Sequence, residues 1–300
     1  MTLRIGTSEL GGTFYTQGSA IAELFNHGRP AEERCVVLPS VAASIDNANR
    51  LDRGEVEFGF MASNWIGRAK NGTSPFTRKI ELRMVSPVNA GPLFFVTLAG
   101  SSIKTISDLI GKRLAVGVQG SGMVGHVLTI FAAIEIPWNS FTPVYLSFAD
   151  GAEALIGGDI DAQFQPPIPN QVMTNLSERA DVRVVAYGPR QIQSILAQVG
   201  FYRAITIKKG AFRGVVEDVP QIAVVNVMVT HERLPDKPVH DIVKTILENL
   251  ETLPKMNPLF KGVRELFEPL RSKGAATFEM GGVPLHPGAL QAYREAGWLS

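Results

Sequence analysis

Cysteine is almost missing from this 300-residue chain. Cys35 stands alone, which excludes an intrachain disulfide and reads as a buried, inert thiol. Excess charge is missing too: 29 basic residues face 28 acidic ones, and no basic run occurs. Nucleic acid is therefore excluded as an expected partner. No apolar run approaches the roughly 20 residues of a membrane-spanning helix. His27, His126, His231, His240 and His286 are scattered, without H-E-x-x-H or a Cys/His cluster, so no metal site is expected. G-x-x-x-x-G-K-[ST] and G-x-S-x-G are both absent, which removes the phosphate-hydrolysing loop and the nucleophile elbow. Met1 runs straight into the first strand without a secretory leader, which fits a cytoplasmic protein or a leader-trimmed chain.

What is present is a globular composition, with 45% hydrophobic and 19% charged residues, and enough length for two domains with cores. The chain is organised around Ile5-Gly-Thr-Ser-Glu-Leu-Gly-Gly-Thr-Phe-Tyr15. A short strand carrying Leu3 and Ile5 enters a Gly/Ser/Thr loop, and a helix with Ile21, Leu24 and Phe25 on one face leaves it. Gly11 and Gly12 let the backbone turn, and Thr13 suits the cap of the first helical turn. Backbone N–H groups at the positive end of a helix dipole suit a carboxylate or phosphate. For one such loop, a plain strand–helix turn without a ligand is the commoner outcome.

The plan repeats about a hundred residues later. Residues 113–117 form a second apolar strand, Gln119-Gly-Ser-Gly-Met-Val-Gly125 a second loop, and Val127, Leu128, Ile130 and Phe131 a second helix. Residues 36–38 are echoed by 144–146, and residues 51–60 by 155–164, each of the latter a helix end, a glycine stop and a strand. Two strand–loop–helix–strand–helix–strand units imply an α/β fold of two lobes, each a mixed sheet flanked by helices. Runs at 82–88 with 92–98, and at 221–230, read as strands that carry the chain across and back. Lobe one is expected at 1–93 and 226–300 and lobe two at 94–225, joined at a hinge that closes on the ligand. A strand over 56–60 should end in Met61-Ala-Ser-Asn64, with Ser63 and Asn64 in a loop at its C-terminal end. Ser44 suits a helix N-cap, and Val239, Ile242, Val243, Ile246, Leu247, Leu250 and Leu253 mark an amphipathic helix. Residues 188–201 carry no readable pattern.

Gly120-Ser-Gly-Met-Val-Gly125 matches G-x-G-x-x-G between a strand and a helix. The acid that should end the next strand and hold a ribose is lacking, since Asp150 comes late and inside a turn, so an anion or carboxylate loop is preferred to a nucleotide and no cofactor is expected. His126 beside this loop reads as a capping or surface histidine. Glu55 with Glu57, and Asp159 with Asp161, lie at strand starts and read as solvated ends opposite the loops. Phe94 and Phe95 read as core. Gln163 and Gln165 end a lobe-two strand, where amides could reach a ligand or serve as ordinary strand residues, and Tyr15 could cover its apolar part. No catalytic set emerges.

Ile5-Gly-Thr with Gly11-Gly-Thr-Phe-Tyr15, Ser44-Ile-Asp-Asn47, Gly54-Glu-Val-Glu57, Gly111-Lys-Arg with Gly120-Ser-Gly122, Tyr145-Leu-Ser147, Gly158-Asp-Ile-Asp-Ala162, Asp218-Val-Pro220 and Pro284-Leu-His-Pro-Gly288 follow one another over nearly the whole length. In these segments the chain resembles the TAXI-family solute-binding receptors of TRAP transporters. The resemblance implies the class II periplasmic-binding-protein fold and a receptor that captures a small organic acid, glutamate-like or another carboxylate, between two lobes and hands it to membrane permease subunits. It implies a periplasmic location for a leader-trimmed chain. It places ligand contacts at Gly12, Thr13 and Tyr15, at Ser63 and Asn64, and at Gly120, Ser121 and Gly122. Two departures, Asn64 where an acid is usual and Met123 where threonine is common, point to a different or more apolar ligand. An intracellular decarboxylase-like enzyme using His126 or Glu9, and a ligand sensor, are the alternatives on the same fold.

Overall fold

The computed structural model describes every residue except Met1, Glu9, Gly11, Val41, Gly120 and Pro166. The chain forms two compact units, Met1–Ala90 with Val225–Ser300, and Gly91–Val224. The first opens with β1 (Leu3–Gly6), α1 (Thr13–Asn26), β2 (Cys35–Leu38), α2 (Ala43–Arg53), β3 (Phe58–Ala62) and α3 (Ser63–Asn71). β4 (Leu82–Leu98) then carries the chain into the second unit as one continuous strand. Two separate runs, 82–88 and 92–98, were expected, and the structure joins them through Asn89-Ala-Gly91. Gly91 sits where a Cβ would fall 2.5 Å from the ring of Pro167, so close packing explains that glycine.

The second unit continues with β5 (Arg113–Ala115), α4 (Gly122–Ala133), β6 (Thr142–Val144), α5 (Phe148–Gly157), β7 (Ala162–Gln165), α6 (Gln171–Arg179), β8 (Val182–Val184), α7 (Pro189–Gln198) and β9 (Tyr202–Ile207). β10 (Val219–His231) returns the chain to the first unit, which ends with α8 (Asp236–Glu248), α9 (Leu253–Met256), α10 (Glu268–Lys273) and α11 (Pro287–Glu295).

In the first unit the sheet order is β2-β1-β3-β10, parallel except for β10. Ile5, Phe58, Phe60, Val227 and Val229 meet Ile21 and Phe25 of α1, Leu51 of α2 and Val239, Ile242, Val243 and Ile246 of α8 in its core. The last four follow the i, i+3, i+4, i+7 stripe that the sequence shows. The Pro-Leu-His-Pro-Gly segment is a lock in this unit. Buried His286 accepts the Gly288 N–H at Nδ1 (3.1 Å) and donates from Nε2 to the Leu234 carbonyl (2.9 Å). A Cβ at Gly288 would fall 2.2 Å from the Asp236 carbonyl oxygen, so this position requires glycine.

In the second unit β6-β5-β7 run parallel and β4 pairs antiparallel with β7 and β8. β9 pairs antiparallel with the first half of β10. Phe94 and Val96 pack with Leu155, Met173 and Leu176 on one face. Phe95 stacks with Phe164 at 4.9 Å and with Phe131 at 5.6 Å. Both members of the Phe94–Phe95 pair are fully buried, as expected of core.

Candidate functional site

Parallel β1, β2 and β3 bring their C-terminal ends, and the starts of α1, α2 and α3, to one edge of the first unit. Thr7 leaves β1 buried, and its hydroxyl donates to the carbonyls of Leu38 (3.2 Å) and Ser8 (3.3 Å). The capping role expected of Thr13 falls to Ser8, whose Oγ accepts the Tyr15 N–H at 3.1 Å. Thr13 is exposed as the first residue of α1, Tyr15 is half-buried, and Gly12 holds the N-cap position without a side chain. Ser44 likewise is not the cap of α2. Its Oγ accepts the Ala62 N–H at 3.1 Å and ties that helix to the end of β3.

Asn47 stitches this edge together. From α2 its Nδ2 donates to the Thr7 carbonyl at 3.0 Å and the Phe60 carbonyl at 2.9 Å. The strand expected over 56–60 lies two residues later, so Ser63 and Asn64 open α3 instead of sitting in a loop. Buried Ser63 accepts the Val225 N–H at 3.2 Å, and Asn64 keeps a buried Oδ1 with no hydrogen-bond partner. Gln17, one turn into α1, is fully buried with neither amide atom bonded. Its signal in the sequence is a polar residue on the apolar stripe of Phe14, Ile21 and Phe25, and it lies outside the sequence motifs.

Parallel β5, β6 and β7 make the corresponding edge in the second unit. Gly117 turns the chain with φ +102°, and a Cβ there would lie 3.0 Å from the Met123 Cβ and 3.1 Å from the Ser121 Oγ. Ser121 caps α4, accepting the Val124 N–H at 3.5 Å; Gly122 is exposed and Met123 half-buried. Gly120, and the enzyme candidate Glu9, lie outside the described residues. Asp150, read as part of a turn, stands in the first turn of α5, where Ser147 Oγ accepts its N–H (3.1 Å) and donates to its carboxylate (2.6 Å).

His126 is neither a cap nor a surface residue. It is buried in α4 with Nδ1 2.6 Å from the Tyr202 hydroxyl, and burial pushes its pKa down to about 4. It is therefore a neutral imidazole at pH 7. Gln163 Nε2 donates to the Phe148 carbonyl at 2.7 Å, and Gln165 Nε2 donates to Gln163 Oε1 at 2.9 Å. The main-chain carbonyl fixes both amides in turn, leaving buried Gln165 Oε1 as an acceptor with no partner.

At the opposite edge each unit carries the same clasp. Arg4 holds Glu57 through its main-chain N–H (2.8 Å), Nε (3.0 Å) and Nη2 (2.6 Å), and gives Nη2 to the Gly54 carbonyl at 2.9 Å. Arg113 holds Asp161 at 2.8, 3.2 and 2.9 Å, and gives Nη2 to the Gly158 carbonyl at 2.8 Å. Glu57 and Asp161 are thus paired ends rather than simply solvated ones, and the hydrogen bonds from Arg113 lower the Asp161 pKa. The units also share one packing solution with exchanged partners. Asn47 on α2 fills the space over Gly59 of β3, whereas Gln163 of β7 fills the space over Gly151 on α5.

Two α/β units, each with helix starts at the C-terminal ends of its parallel strands, have the class II periplasmic-binding-protein type of fold. The chain belongs to the NMT1-like family, whose profile matches residues 5–297. Solved structures share the fold at low identity. A TctC solute-binding protein from Polaromonas matches with TM-score 0.59 and 14% identity over 88% of each chain. A periplasmic sulfonate-binding protein, SsuA from Methylobacillus flagellatus, matches with TM-score 0.52 and 14% identity over 100% of this chain and 88% of its own. A chain from the GshT and TcyBC glutathione-import system of Streptococcus mutans matches with TM-score 0.52 and 15% identity over 87% and 96%.

Proposed function

We propose that this chain is a non-catalytic solute-binding protein that captures a small organic acid and delivers it to membrane transporter components. One observation carries the reading: the 14-residue helix α1 starts behind Gly12, an N-cap residue without a side chain, at the C-terminal edge of a parallel sheet, where Ser8 Oγ takes the Tyr15 N–H and the Thr13 and Phe14 N–H groups lead the helix. Its leading N–H groups and dipole suit one carboxylate. Thr13 and Tyr15 stand beside that start, with Ser63 and Asn64 at the start of α3; Ser121, Gly122 and Met123 at the start of α4, with Gln163 and Gln165 at the end of β7 and with Gly120 by its place in the sequence, are the corresponding set in the second unit. The family and the solute-binding structures that share the fold support the reading. In its finer form the protein is a TAXI-type receptor serving TRAP permease subunits from the periplasm. Genes for such permeases beside this one are the expected finding, and an isolated gene refutes that form.

A thermal-shift screen of small carboxylates, with mass spectrometry of each acid before and after, tests the proposal. Stabilisation without chemical change is expected, growing with the ratio of ligand concentration to Kd. Thr13→Val and Ser121→Val should each weaken binding, and unchanged affinity in both removes the two hydroxyls from the site. A chemically altered acid favours the enzyme alternative.

A further inference from the structure

The loops and first helical turns at the C-terminal edges of the parallel strands hold no lysine or arginine in residues 7–16, 39–46, 62–66, 116–125, 145–151 and 166–174, whereas Glu9, Asp46 and Asp150 are acidic. A helix N-terminus offsets about half a charge. A desolvated second carboxylate would find no counter-ion in these segments. Arg203 and Arg183, half-buried in the second unit, are turned to main-chain carbonyls: Arg203 on β9 gives Nη1 to Gly200 and Tyr202, both at 2.8 Å, and Arg183 on β8 gives Nη1 to Ser101 and Ile103, both at 3.1 Å.

Three adjacent strands of the second unit, in the order β6-β5-β7, supply what such an edge can recognise instead. Beyond β6 Tyr145 is 41% exposed, and beyond β5 Val118 is 55% exposed, which gives this edge two exposed apolar side chains. At the end of β7 stands Gln165 Oε1, buried, fixed as an acceptor by the amide relay from the Phe148 carbonyl, and without a partner. An acceptor in that state calls for an N–H or O–H donor. Strands lie about 4.8 Å apart, so these groups span about 10 Å, the reach of one small molecule.

Taking the carboxylate reading above as its premise, we infer that the ligand carries no net charge: it is an apolar α-amino acid or a close analogue. Its carboxylate meets the start of α4 at Gly122, the second-unit counterpart of the α1 start, beside the capping Ser121; its ammonium donates to Gln165 Oε1, and its side chain lies on Val118 and Tyr145.

Isothermal titration of the full chain with leucine and phenylalanine, with 4-methylpentanoate (leucine without its ammonium), with leucinol (leucine without its carboxylate), and with glutamate and succinate tests this. The amino acids should bind at least tenfold tighter than the others. Succinate, glutamate or 4-methylpentanoate binding as tightly as leucine overturns the zwitterion and leaves the carboxylate reading standing. Leucinol binding as tightly as leucine overturns the carboxylate reading itself, and no binding of any compound overturns both. Gln165→Met should erase the preference for leucine over 4-methylpentanoate, whereas a purely structural glutamine would lower both affinities alike. Tyr145→Ser, at an exposed position that leaves folding intact, should weaken phenylalanine several-fold, and an unchanged affinity removes the apolar contact.

Discussion

Replacing Asn47 by alanine tests whether one buried amide holds the ligand edge of the first unit in place. The side chain is fully buried and its Nδ2 serves two carbonyls, Thr7 at the end of β1 and Phe60 in β3. Each bond contributes about 1 kcal/mol net. The volume left behind cannot be filled from the adjoining strands, because Gly6 and Gly59 are the residues that face Asn47, and a cavity of that size costs about 1 kcal/mol more. Removing Oδ1, which has no partner, returns part of the loss. The expected destabilisation is about 2–3 kcal/mol. Urea unfolding should show a lower midpoint with unchanged slope, and hydrogen exchange should place the loss at β1 and β3. Because Thr7 leads into Ser8, which caps α1, ligand affinity should fall with stability. A loss below about 0.5 kcal/mol, or an Asn47→Leu variant more stable than the parent, would refute the assignment.

Burial holds the His126 pKa at about 4 against 6.5 for a free histidine. Between those values the unfolded chain takes up a proton that the folded chain refuses, so stability should fall by about 3 kcal/mol as pH drops from 7 to 4. In His126→Gln that part of the slope should vanish, and identical pH profiles by chemical unfolding would contradict the burial argument. Gln17→Leu removes two unbonded buried amide atoms and should raise Tm, while lowering ligand affinity if the amide faces the solute. A Tm gain with full affinity would exclude Gln17 from the site. Gly117→Ala places a Cβ 3.0 Å from Met123 at φ +102° and should cost about 1–3 kcal/mol. A smaller loss would mean that the start of α4 adjusts freely.

The two-unit α/β plan was legible because its signals are local and repeated. Leu51 to Phe60 and Leu155 to Phe164 each end a helix at a glycine, and Gly54 and Gly158 both adopt the left-handed conformation, with φ +73° and +79°. α8 was legible through its apolar stripe. α7 was missed although Ile192, Ile195, Leu196 and Val199 follow the same spacing, because its ten residues bury only Ile195 and the stripe is short. β4 was cut in two because proline and glycine rules are local, while that strand is held by partners far along the chain. The same limit applies to the candidate site. The loops and their glycines could be found by pattern, but the assignment of capping to Ser8 rather than Thr13 depends on the path of the loop in space. The burial of His126 depends on Tyr202, and the carbonyl targets of Asn47 on two different strands. Gln163 and Gln165 were found as strand-end amides, but the relay that fixes which end of each is free needs the Phe148 carbonyl.

The arginine clasps at Glu57 and Asp161 give each unit a stationary end and a variable end. A guanidinium fastens helix end to strand start at the edge away from the proposed solute contacts, so substitutions around the opposite loops put little of the scaffold at risk. Descendants of such a chain can change diet by rewriting a dozen loop positions while inheriting the same anchors.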